Sequence, residues 1–174
     1  MSIPSPAPWA KLVISAFMKD RGLFIKLAEI FEKKFGPIDL ASPWMDFDYT
    51  DYYTMEMGSP LFRRMTAFER LVPQDSLPDI KIFTNQVESR FSTNGRRRIN
   101  IDPGFLSHER FVLATGKNFT HRIYLGKGIY ADLTLVFSKG VFQDLEWTYP
   151  DYRSEAVKNF LYLVRKKYIT DQKG

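Results

Sequence analysis

From Arg96 to Tyr130 the chain reads RRRINIDPGFLSHERFVLATGKNFTHRIYLGKGIY, and apolar and polar residues alternate through most of it. A period of two is the mark of a strand, whose successive side chains face opposite sides of a sheet. Ile99 and Ile101 point one way, Asn100 and Asp102 the other. Pro103-Gly104 is predicted to turn the chain, Pro presetting φ and Gly accepting positive φ. Phe111 to Ala114 forms another strand. His121–Leu125 and Ile129–Phe137 form a hairpin across Gly126-Lys127-Gly128. In its second strand Ile129, Ala131, Leu133, Leu135 and Phe137 take one face, and Tyr130, Asp132 and Thr134 the other.

The stretch before it supplies both helices and strands. Leu12 to Phe17 is a short, nearly continuous apolar run, as a buried central strand requires. Asp20-Arg21-Gly22 turns the chain into an amphipathic helix carrying Leu23, Phe24, Leu27, Ile30 and Phe31, stopped at Gly36-Pro37. Alternation between Met45 and Met57 predicts two short strands around Thr50-Asp51-Tyr52. Leu61–Val72 is ambiguous, since Ser59-Pro60 could start a helix, but Arg64-Met65-Thr66-Ala67-Phe68 favours a strand. A helix then starts at Pro78, with Ile80, Phe83, Val87 and Phe91 inward, and closes at Asn94-Gly95. Its second stripe, Lys81, Thr84, Asn85 and Glu88, is expected to face solvent. The last helix starts near Pro150-Asp151 and buries Val157, Phe160, Leu161, Val164 and Tyr168. The order strand–helix–strand–strand–helix–strand up to Asp102 predicts an α+β fold with a ferredoxin-like βαββαβ core. In that reading residues 1–174 form one domain, with the core over about 10–103. Added hairpin strands extend the antiparallel sheet and a terminal helix completes the chain, over about 104–170.

Composition excludes more than it assigns. There is no cysteine, hence no disulfide framework, thiolate metal site or cysteine nucleophile. With two histidines and no His pair at helical spacing, zinc is not expected. No G-x-S-x-G elbow, P-loop or G-x-G-x-x-G fingerprint occurs. MSIPSPAPWAKLV lacks the basic start and apolar run of a secretory signal, and no stretch is long enough to span a membrane. The expected compartment is the cytoplasm. The net charge of +5 favours anionic partners at long range. Its clusters, Arg63-Arg64, Arg96-Arg97-Arg98 and Arg165-Lys166-Lys167, read as solvated faces.

If the strand faces are assigned correctly, Asn100, Asp102, Arg122, Tyr124, Tyr130 and Asp132 converge on one side of the sheet, with Lys117 and Lys127 at the rim. Arg122 could grip a phosphate or carboxylate through a bidentate fork while the lysines act as point charges. Asp102 and Asp132 could hold Mg²⁺, or one could act as a base in a hydrolase or transferase reaction. The competing reading is a cross-strand ion pair among packed tyrosines. His121 shares a face with Ile123 and Leu125 and is expected to be half-buried and hydrogen-bonded; His108 falls in a loop.

Asn100-Ile101-Asp102-Pro103-Gly104 resembles the signature of an uncharacterised, mainly prokaryotic domain family. Arg63-Arg64, Lys81 with Thr84-Asn85 and Glu88, and His121–Leu125 look like the same family over nearly the whole chain. So do Gly128-Ile129-Tyr130-Ala131 and Trp147–Tyr152, whereas the part before Ala41 is similar only loosely. The resemblance implies a domain of unknown function and no activity. From the residues, the leading expectation is a soluble protein binding a phosphorylated small molecule or nucleotide. The alternatives are an RNA-binding module, using Arg96–Arg98 and exposed aromatics, and a protein-interaction subunit.

Overall fold

The computed structural model describes residues 1–172. Among them the chain forms an α+β fold around one open, nine-stranded antiparallel sheet. In chain order the elements are β1 (Ala10–Met18), α1 (Leu23–Phe35), β2 (Ile38–Ala41), β3 (Met45–Asp46), α2 (Thr54–Met57) and β4 (Phe62–Val72). They continue with α3 (Leu77–Arg90), β5 (Ile99–Leu106), β6 (Arg110–Thr115), β7 (Arg122–Gly126), β8 (Ile129–Ser138), β9 (Val141–Asp144) and α4 (Glu155–Asp171). The strand order is β2-β4-β1-β5-β6-β8-β7, with β3 on β4 and β9 on β8.

β1 is buried along its whole length because both of its faces are covered. Leu12, Ile14, Ala16 and Met18 meet α1 and α3 through Phe24, Leu27, Phe31, Ile80 and Val87. Val13, on the other face, belongs with Met65, Phe111 and Leu135 under α4, which contributes Val157, Phe160, Leu161, Val164 and Tyr168. Farther along that face, Phe17 packs with Phe47, Met57 and Leu61. α1 stops where expected, at Gly36, whose φ of +90° an L side chain rarely adopts. Among the described residues no helix is long and apolar enough to cross a membrane.

Four expectations are overturned. The two strands between Met45 and Met57 shrink to Met45–Asp46, and Asp51–Met57 is helical instead. Thr50 caps that turn by accepting the Tyr52 N–H at 3.1 Å, so local capping beats the alternating pattern. α3 ends at Arg90, ahead of Asn94-Gly95. Pro103-Gly104 does not turn the chain; both residues lie within β5, buried. Finally, β8 does not keep one apolar face. Phe111 pairs with Leu135 but Val112 with Leu133, leaving Thr134 as an extra residue. Such a bulge shifts the alternation, so Leu133 packs on the α3 side while Leu135 joins α4.

Candidate functional site

The site begins where the sheet divides. Residues Ile99–Pro103 of β5 pair with β1 alone, and pairing with β6 starts only at Gly104. Pro103 has no N–H to donate to a neighbouring strand. At Gly104 a Cβ would run into the carbonyl oxygen of Val112, so only glycine lets β6 approach this closely. The backbone of Ile101, left without a strand on that side, is satisfied from α3. Its N–H donates to Glu88 Oε1 at 2.6 Å, and its carbonyl accepts from Lys81 Nζ at 2.9 Å. The stripe expected to face solvent is therefore largely buried: Lys81, Thr84 and Glu88 are inside and only Asn85 is exposed. Beyond the division lies a cavity of about 820 Å³.

At the floor, the Arg63 guanidinium sits between the rings of Phe47 and Tyr152, 4.8 Å from each centroid, and its Nη2 donates to Asp151. Asp102 stands in the middle. It accepts from Asn100 Nδ2 at 2.7 Å and more weakly from Lys81 Nζ at 3.4 Å. Burial, reinforced by the Asp102 charge, pushes the Tyr53 phenol up to about 12. Burial also raises Glu88 above the usual carboxylate range, against the pull of Lys81. Arg97 forks onto Glu56, with Nε to Oε1 at 2.8 Å and Nη2 to Oε2 at 2.7 Å, and its Nη1 donates to Asn100 Oδ1 at 2.9 Å. Those hydrogen bonds hold Glu56 below its ordinary value. They also fasten the segment carrying Tyr52 and Tyr53 across the cavity.

At the mouth, Arg122 Nε donates to Asp132 Oδ2 at 2.8 Å, Nη2 to Tyr149 OH at 2.8 Å and Nη1 to the Lys117 carbonyl at 3.0 Å. Lys117 Nζ lies 5.3 Å from the Tyr52 ring centroid and joins no ion pair among the described residues. The loop that brings Tyr149, Asp151 and Tyr152 is stitched to the β8 bulge. Trp147 Nε1 donates to the Leu133 carbonyl at 2.8 Å, and Thr148 Oγ1 to the Thr134 carbonyl at 2.6 Å.

Of the residues expected from the sequence, Asn100, Asp102, Lys117, Arg122 and Asp132 all line this cavity. Tyr124, Tyr130 and Lys127 do not. Tyr124 packs on Tyr130 and accepts the Gly128 N–H at 3.2 Å, and Lys127 forms an exposed pair with Asp79. The expected cross-strand pair is present in Arg122–Asp132. His121 turns away from the Ile123 side: it stacks on Trp147 and lies 3.3 Å from Asp132 Oδ2, while Ile123 and Leu125 are exposed. Among the described residues no three His, Asp or Glu side chains gather as a metal would need. Nor does Arg96–Arg98 offer three outward cations, since Arg97 turns in to Glu56 and Arg98 stands near Asp20.

Arg63, Asp151, Tyr152, Tyr53 and Glu88 belong to the site yet were not foreseen as parts of it. Arg63 read as one member of a solvated pair, but it is 2% exposed. The Trp147–Tyr152 run was visible as a motif without a position. The chain belongs to the family described as "Domain of unknown function (DUF4416)", whose model matches residues 8–168. No curated protein and no solved structure matches it.

Proposed function

We propose that this cavity binds a small phosphorylated ligand carrying a flat ring, a nucleotide being the simplest example. The carrying observation is one cavity of about 820 Å³ with a cation, Lys117, that joins no ion pair among the described residues, beside an aromatic wall of Tyr52, Tyr53 and Tyr149. That volume lies within the usual range for small-molecule sites, about 300–1,000 Å³. A lysine ammonium suits phosphate as a point charge, and the tyrosines suit a ring. Arg122 adds positive charge but spends its hydrogen bonds on Asp132, Tyr149 and the Lys117 carbonyl. Any hydrolysis or transfer would fall first to Asp102, because Asp132 is already held by Arg122 with His121 alongside. Mg²⁺ arriving with the phosphate would compete with Lys81 for Asp102 and with Arg122 for Asp132.

The same reading takes β1, α1, β2, β4, α3 and β5 as a ferredoxin-like core, supported by their antiparallel order β2-β4-β1-β5. It takes Asn100–Gly104 as the family's signature, the stretch that opens the site, and the cytoplasm as the compartment.

Thermal unfolding against nucleotides, sugar phosphates and short RNAs, with and without Mg²⁺, tests the proposal. A bound ligand at 100 times its dissociation constant adds about 2.7 kcal/mol, and Lys117→Ala should remove most of that shift while leaving the unliganded melt alone. Stabilisation by RNA only, fading as salt rises, would replace the proposal with an RNA-binding module. Silence across the whole panel would favour a protein-interaction subunit.

A further inference from the structure

Asp102 and Tyr53 face the cavity with hydrogen-bonding capacity that the protein leaves unused. The Asp102 side chain is 30% exposed and lines the cavity. Its two oxygens hold one protein partner each, Asn100 Nδ2 on Oδ2 at 2.7 Å and, more weakly, Lys81 Nζ on Oδ1 at 3.4 Å. A carboxylate oxygen can accept twice, so each keeps a place for a donor. Tyr53 is half-buried on the wall of the same cavity, and its hydroxyl bonds to no described residue. One guanidinium sets the two side chains beside each other. Arg97 lies 5.8 Å from the Tyr53 ring centroid, and its Nη1 reaches Asp102 through the Asn100 amide. Burial, and then the Asp102 charge, push the Tyr53 phenol up to about 12, so it is protonated and able to donate at neutral pH.

An acceptor beside a donor selects the ligand group. Asp102 would repel a phosphate, which belongs instead at Lys117. A ring N–H can only donate and a ring carbonyl can only accept. A hydroxyl does both at a single oxygen. We infer that Asp102 and Tyr53 form a subsite for the sugar of the ligand, whose hydroxyls donate to the carboxylate and accept from the phenol. Two carboxylate oxygens side by side suit two neighbouring hydroxyls. The inference rests on the phosphate-and-ring reading above and adds the sugar class: ribose, with its vicinal hydroxyl pair, against deoxyribose.

Each ribonucleoside monophosphate and its 2′-deoxy counterpart differ by one oxygen, so calorimetric titration of such pairs reads the subsite directly. The ribonucleotide that binds best should bind at least about tenfold more tightly than its deoxy form, the loss expected for a hydrogen bond to a charged group. Asp102→Asn should weaken that ribonucleotide and bring the pair within about twofold, because the amide keeps one acceptor but loses the charge. Tyr53→Phe should weaken the ribonucleotide several-fold while the unliganded protein melts no lower, since the hydroxyl removed has no partner among the described residues. A lower melt would give that hydroxyl a structural role and remove it from the subsite.

Equal binding of the two members of a pair, in a protein that still needs Lys117, would overturn the sugar assignment and leave the phosphate-and-ring reading standing. No binding by any nucleotide of the set would overturn both.

Discussion

Glu88 carries its charge in a place that penalises it, and it does so to hold a backbone amide. Its folded-state pKa is raised, chiefly by burial. Between the ordinary glutamate value and that raised value, the folded protein keeps a proton that the unfolded chain has released. Stability must therefore fall as pH rises through this window. In Glu88→Gln the amide oxygen can still accept from Ile101 N–H, and the pH-dependent loss should vanish. Denaturation of both proteins across the window measures it; parallel pH profiles would show that Glu88 is not the titrating group. Glu56 works in the opposite sense. Its hydrogen bonds with Arg97 depress its pKa, so the stabilisation is present above the ordinary glutamate value and lost as pH falls through the folded one.

At the scale of the element, the division between β5 and β6 makes a cavity possible. Were the two strands paired along their full length, the polar groups of Ile101 would be used in the ladder. Lys81 and Glu88 would then have no reason to be buried. Pro103 and Gly104 set the place of the division, one by withholding a donor and the other by admitting Val112 at close range. Gly104→Ala should destabilise the protein by about 1–3 kcal/mol, the cost of overpacking, because backbone lies in the way of the added methyl. Urea denaturation would show it. An unchanged midpoint would mean that β6 moves aside freely. The β8 bulge has a matching part, since its neighbouring carbonyls anchor the loop that supplies Tyr149 and Tyr152.

Across the whole molecule, the far end of α4 is tied to the sheet by a buried cation. Lys11, fully buried on β1, meets Asp39 of β2 at 2.5 Å and Asp171 of α4 at 2.8 Å. Removing Lys11 leaves Asp39 and Asp171 to the more exposed Lys167, which pairs with Asp171 and lies 3.8 Å from Asp39, so the loss stays at or below about 3 kcal/mol. Lys11→Met, which keeps the apolar stem, should lower stability by about that amount, read by calorimetry, and loosen α4 in hydrogen exchange. An unaffected α4 would mean that its apolar face alone suffices to hold it. Tyr152, which lines the cavity, packs in the same cluster as the apolar face of α4, so this tie steadies the layer that carries it.

The sequence by itself determined the local periods: the buried run of β1, the stops of α1, the hairpin of β7 and β8, and the shared face of Asn100, Asp102, Arg122 and Asp132. Those follow from alternation and turn chemistry, which neighbouring residues specify. Only the tertiary structure decided which polar residues are inside. Arg63 and Arg64 look alike along the chain, yet only Arg63 faces the buried Asp151. Lys81 and Glu88 lie on a helix face that would be wet if β6 continued beside β5. The Asp51–Met57 segment alternates like a strand but is helical, and its rings Tyr52 and Tyr53 line the site. Burial of a charge depends on a partner arriving from a distant part of the chain, as Asp151 does for Arg63, and no local period encodes that arrival.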